Sequence, residues 1–127
     1  MPHSDVARRT LLWLAATVFV AIALYALMAP EHMAQGLGYT LQAPNGYSEF
    51  FAVYIGVWLA TAGLAAYAAR HIRQPAFGDT VAVLVLAQPL GRCIAILGYG
   101  LPTGALLYIF ILELVGSLAL LAVRPSI

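Results

Sequence analysis

Four polar side chains stand inside or at the edge of long apolar runs, and together they define a chemistry. Gln88 and Arg92 lie four residues apart, on one face of a helix, within the apolar stretch from Asp79 to Tyr99. Glu113 interrupts the stretch that ends at Arg124, and Glu49 opens the one that ends at Arg70. An ionised group at mid-bilayer costs about 2.5–3.5 kcal/mol on insertion scales, so opposite charges at similar depth are expected to pair. At 1.5 Å per residue, Arg92 sits roughly 10 Å and Glu113 roughly 16 Å below the outer ends of their helices, a gap that side-chain reach closes. Arg92 with Glu113 is therefore the expected ion pair.

Two readings of this set compete. In one, Arg92 and Glu113 are a buried tie that fixes helix register, with Glu49 a surface charge complementing a helix N-terminus. In the other, Glu49, Gln88, Arg92 and Glu113, with Tyr54, Tyr99 and Tyr108, line a polar cavity in the outer half of the membrane. Two carboxylates then bracket one guanidinium, and the carboxylate in excess can take up a proton or hold a polar headgroup.

The elements that must position these residues follow from composition. Of 127 residues 63% are hydrophobic and only 9% charged, against about a quarter charged in soluble domains. The pattern predicts a single all-α domain over 1–127, an integral membrane four-helix bundle with spans at about 11–29, 48–70, 79–99 and 102–124. The first run is longer than a signal-peptide core and is expected to be a retained helix. Pro30 and Glu31 stop it, and the segment 31–47 is expected to lie at the interface, with Met33 and Leu37 laying one helical turn on the bilayer surface. Ser48 is an expected N-cap, and Pro89 is expected to kink helix three. Along helix two, Glu49, Val53, Gly56, Ala60 and Gly63 share a face whose small residues are expected to point inward.

Arginine distribution gives the orientation. Arg8 and Arg9 precede helix one, Arg70 and Arg73 lie between helices two and three, and Arg124 closes helix four, while the other two connections carry no arginine or lysine. Cytoplasmic loops retain such residues, so both termini are expected in the cytoplasm, with short connections giving an up-down-up-down order.

Several function classes fall away. The net charge of +1, with all six basic residues arginines and scattered, offers no nucleic-acid stripe. His32 and His71 fall on opposite sides of the membrane and His3 lies in the tail, so neither a metal nor another cofactor is expected. Cys93 is the single cysteine and is expected to be a buried, inert thiol. No Ser-His-Asp set, phosphate-cradling glycine loop or H-E-x-x-H motif occurs. Trp58 and Asp79 read as core or lipid contact and as an N-terminal charge complement, respectively.

Ala29-Pro30-Glu31 followed by Gly36-Leu37-Gly38-Tyr39, Glu49 with Tyr54-Ile55-Gly56, Gly91-Arg92, Gly98-Tyr99-Gly100-Leu101-Pro102, and Glu113-Leu114 together resemble a bacterial family. Its members are small four-helix integral membrane proteins grouped as a domain of unknown function, similar in layout to DoxX-like proteins. The resemblance runs from about Leu11 to Val123 and implies a bacterial inner-membrane protein with Glu49, Arg92 and Glu113 as recurring positions. Where that family often shows an arginine and a Gly-Gly step in helix two, this chain has Phe51 and Ile55-Gly56, so a second intramembrane cation is absent.

The leading expectation is a membrane binding or accessory protein, whose outer-half polar cavity takes a lipid-like or small amphiphilic molecule, or which docks a partner membrane subunit or a second copy. The alternative is an intramembrane acid–base enzyme, of isomerase or epoxide-opening type, acting on a lipophilic substrate. Glu113 or Glu49 would then be its acid or base and Arg92 its charge stabiliser. A proton-coupled transporter ranks last, because helix four carries nothing ionisable between Glu113 and Arg124.

Overall fold

The computed structural model describes residues 2–125. The described residues form five helices: α1 (Pro2–Met28), the short α2 (Pro30–Gly36), α3 (Asn45–Arg70), α4 (Pro75–Tyr99) and α5 (Ala105–Ala122). All but α2 are long and apolar enough to cross a membrane, the character of a membrane protein. Proline sets two of the starts. Pro30 and Pro75 occupy the first helical position of α2 and α4, where the missing N–H is no loss. For α4 this is a full turn before Asp79. The reversal between α4 and α5 uses Gly100 and Gly104 at φ of 93° and 65°, a backbone region that glycine enters without strain.

α1 packs along the second half of α3, α3 on α4, and α4 on α5, while α1 meets α5 over only a few residues. One core cluster joins Leu12 and Ala16 of α1, Ala65, Ala68 and Ala69 of α3, Val81 and Ala82 of α4 and Leu120 of α5. The small residues expected at helix contacts are present, but they are these alanines. Glu49, Val53, Gly56, Ala60 and Gly63 are all exposed, so the face expected inward points outward. The inward face of α3 carries an aromatic row instead. Phe50, Tyr54 and Trp58 follow one another with tilted rings, centroids 4.7 and 5.0 Å apart, and Trp58 meets Phe19 of α1 edge-on at 5.1 Å. A π-helical segment, Ala52–Val57, lies within this row. Its i→i+5 winding changes the rotation per residue from that of a regular helix.

At the α2 end, Met33 and Ala34 are buried against Ala26 and Phe50. The turn expected on the bilayer surface thus packs onto protein, because Met33 fills the space beside Phe50. Cys93, expected buried, is exposed on α4.

Candidate functional site

Arg92 is carried by α4 three residues after the buried Pro89, and Glu113 by the middle of α5. They come together as expected: Arg92 Nη2 lies 3.5 Å from Glu113 Oε2. The contact is an ion pair without a hydrogen bond. Glu113 is only 8% exposed, and neither of its carboxylate oxygens has a hydrogen-bond partner among the described residues; Arg92 Nε is likewise buried and unpartnered. Buried polar atoms are almost always hydrogen-bonded, and a carboxylate with no hydrogen bond to either oxygen is a marked exception.

Glu113 also stands in the wall of a groove of about 300 Å³. The sparse contact between α1 and α5 leaves this space open. Leu11, Leu14, Val18 and Ile22 line it from α1, Val81 and Val85 from α4, and Ile109, Leu112, Gly116 and Leu120 from α5. Trp58 of α3 closes its inner side together with Phe19. From Leu11 to Ile22 is eleven residues, so the groove follows α1 for roughly 16 Å. Ser117, one turn after Glu113, donates to the Glu113 carbonyl at 2.6 Å and to that of Leu114 at 3.1 Å, which keeps its hydroxyl off the carboxylate.

The other expected site residues divide. Tyr54 is half-buried, shares a 3.1 Å hydrogen bond with Tyr39 and lies within electrostatic range of both Arg92 and Glu113. Gln88 is half-buried on α4. Glu49 is exposed, and its carboxylate has no hydrogen bond or ion pair among the described residues. Tyr99 and Tyr108 are 94% and 71% exposed and face away from the bundle. The carboxylate pair bracketing Arg92 thus reduces to Glu113 alone.

Two features escaped sequence reasoning. Trp58 is 2% exposed and its indole Nε1 is buried without a partner. Its signal was available: a tryptophan deep in an apolar helix carries an N–H that needs an acceptor. At the opposite end of the bundle, Arg8 is 1% exposed rather than a solvated topology marker. Its guanidinium donates to the carbonyls of Leu120 (3.0 Å) and Pro75 (2.9 Å) and to Asp79 Oδ1 (2.8 Å). Arg124 holds the other oxygen of Asp79 at 2.6 Å, and Arg9 donates to the Ala69 carbonyl at 3.1 Å. This network ties the start of α1 to the end of α3, the start of α4 and the end of α5.

Residues 7–123 match the model of a family described as a domain of unknown function, DUF4345. The chain belongs to the DUF4345 family. The match covers all four long helices in whole or in large part, and with them Arg8, Trp58, Arg92 and Glu113. No curated protein and no solved structure matches the chain. Among the described residues no cluster of three His, Cys, Asp or Glu stands close enough to hold a metal ion.

Proposed function

We propose that this protein binds a small amphiphile from the bilayer, with the apolar part in the groove between α1 and α5 and the polar part at Glu113. The observation that carries this is the Glu113 carboxylate, ion-paired to Arg92 but with no hydrogen bond to either oxygen, in the wall of an otherwise apolar groove. A ligand pocket has this composition: apolar walls with very few polar groups that fix orientation. Lipid tails fill a bare apolar groove without selectivity; a buried carboxylate adds a requirement for a donor.

The proposal includes the arrangement in the membrane. The helices run up-down-up-down, with both termini on the cytoplasmic side of a bacterial inner membrane, in a layout like that of DoxX-like proteins. The arginine network supports this order, since it gathers the start of α1, the end of α3, the start of α4 and the end of α5. The bias of arginines toward that end supports the orientation. Glu113 then lies in the outer half or near the midplane, with the groove continuing inward to Leu11 and Leu120.

Native mass spectrometry of protein extracted from its own membrane tests the function. The wild type is expected to carry a lipophilic adduct that Gly116→Leu lacks. Gly116 lines the groove, and a Cβ there meets nothing within 4 Å, so a side chain can be added at this position of the wall without a clash at its Cβ. Absence of any adduct, or equal occupancy in both proteins, overturns the proposal. Recovery of the adduct with an altered mass after incubation, in the wild type but not in Glu113→Gln, would assign acid–base chemistry to the same site.

A further inference from the structure

Taking the groove as the binding site, a reading on which this step rests, we infer that its ligand is a single-chain lipophile headed by a hydroxyl group. Two side chains that line the same groove from different helices each carry polar atoms without a hydrogen-bond partner. Glu113 of α5, ion-paired to Arg92, offers acceptors, and Trp58 of α3 offers one N–H donor; all of these atoms are buried without a hydrogen-bond partner. A head that satisfies both must donate and accept. An ammonium has three donors and no acceptor, so it answers Glu113 and leaves the indole orphaned; a phosphate or ionised carboxyl answers the indole but has no hydrogen to donate to Glu113, whose charge Arg92 already balances. A hydroxyl donates to one and accepts from the other.

Size and depth point the same way. A groove of about 300 Å³ is at the lower limit of ligand pockets, enough for one slender chain. Glu113 lies seven residues before Leu120, so roughly 10 Å of apolar groove extends beyond it toward the arginine end. Glu113 also lies eight residues after the start of α5, roughly 12 Å into the span, so a head held there must be small, which again excludes zwitterionic and phosphorylated headgroups. Both carboxylate oxygens are covered in the structure, and no hydrogen bond holds the side chain. Reaching a ligand in the groove requires the carboxylate to turn from Arg92 about its own torsions, a motion that no hydrogen bond opposes.

The test is equilibrium binding of radiolabelled 1-dodecanol to the full chain in nanodiscs, with protein-free nanodiscs as blank and dodecane, dodecylamine and dodecanoate as competitors. Dodecanol is expected to bind about tenfold tighter than each competitor, a difference of about one to two hydrogen bonds. Trp58→Phe keeps an aromatic ring and removes the N–H; it is expected to weaken dodecanol about threefold to tenfold and leave dodecane unchanged. Gly116→Leu is expected to abolish all saturable binding. If the four probes bind equally and Gly116→Leu blocks them all, the hydroxyl assignment is overturned while the groove stands. If nothing binds above the blank, or Gly116→Leu changes nothing, the groove reading falls with it.

Discussion

A single side chain can be costly in one partner's absence and nearly neutral when both are gone, and Arg92 with Glu113 is such a case. Removing Arg92 leaves a buried carboxylate with neither charge nor hydrogen-bond compensation. Arg92→Leu is therefore expected to destabilise the bundle by about 3 kcal/mol, and Arg92→Leu with Glu113→Leu to recover most of that. Reversible unfolding in mixed micelles measures both; equal loss in the single and the double variant contradicts the ion pair as described. This pair was legible in the sequence because a bilayer leaves opposite charges at similar depth few other partners. Glu49 was not, because a carboxylate at a helix start satisfies the same local rules whether it turns inward or outward. Trp58 escaped for a related reason: apolar surroundings explain the ring and leave its N–H unaccounted for.

Between elements, the arginine network makes a sharper prediction. A Cβ added at Gly78 would come within 2.8 Å of Arg8 Nε and 2.9 Å of Cζ. The tip of an arginine ordinarily yields to such a contact, but this one is buried and holds three acceptors on α4 and α5. Gly78→Ala is expected to cost about 2 kcal/mol in the wild type and under about 0.5 kcal/mol in an Arg8→Met background, where the clash is gone. Additivity in that double-mutant cycle, measured by thermal or chaotrope unfolding, contradicts the close approach. The sequence displayed Arg8, Gly78, Asp79 and Arg124 openly. It could not join them, since positive-inside counting treats each arginine as a solvated flank. Helix facing was harder still. Lipid tails are as apolar as leucine, so hydropathy does not say whether Ala65 or Gly63 meets protein. On α3 the bulky row Phe50, Tyr54 and Trp58 took the inward side, and the small row ending in Gly63 was left outside.

For the whole molecule, four long apolar helices followed directly from run length, and belonging to the DUF4345 family agrees with the motifs spread along the chain. The space between α1 and α5 did not follow, because a groove is defined by helices that touch over only a few residues, and no residue pattern records that. The proposed arrangement predicts that reporter domains fused before Met1 and after Ile127 both remain cytoplasmic; export of either contradicts it. The central claim is that the groove holds a lipophile anchored at Glu113. The most direct measurement is a high-resolution structure of the protein purified in native lipid. Elongated density is expected between α1 and α5, with its polar end within hydrogen-bond distance of Glu113 and Trp58. Direct packing of α1 on α5, with the groove closed and Glu113 paired to Arg92 alone, would contradict it.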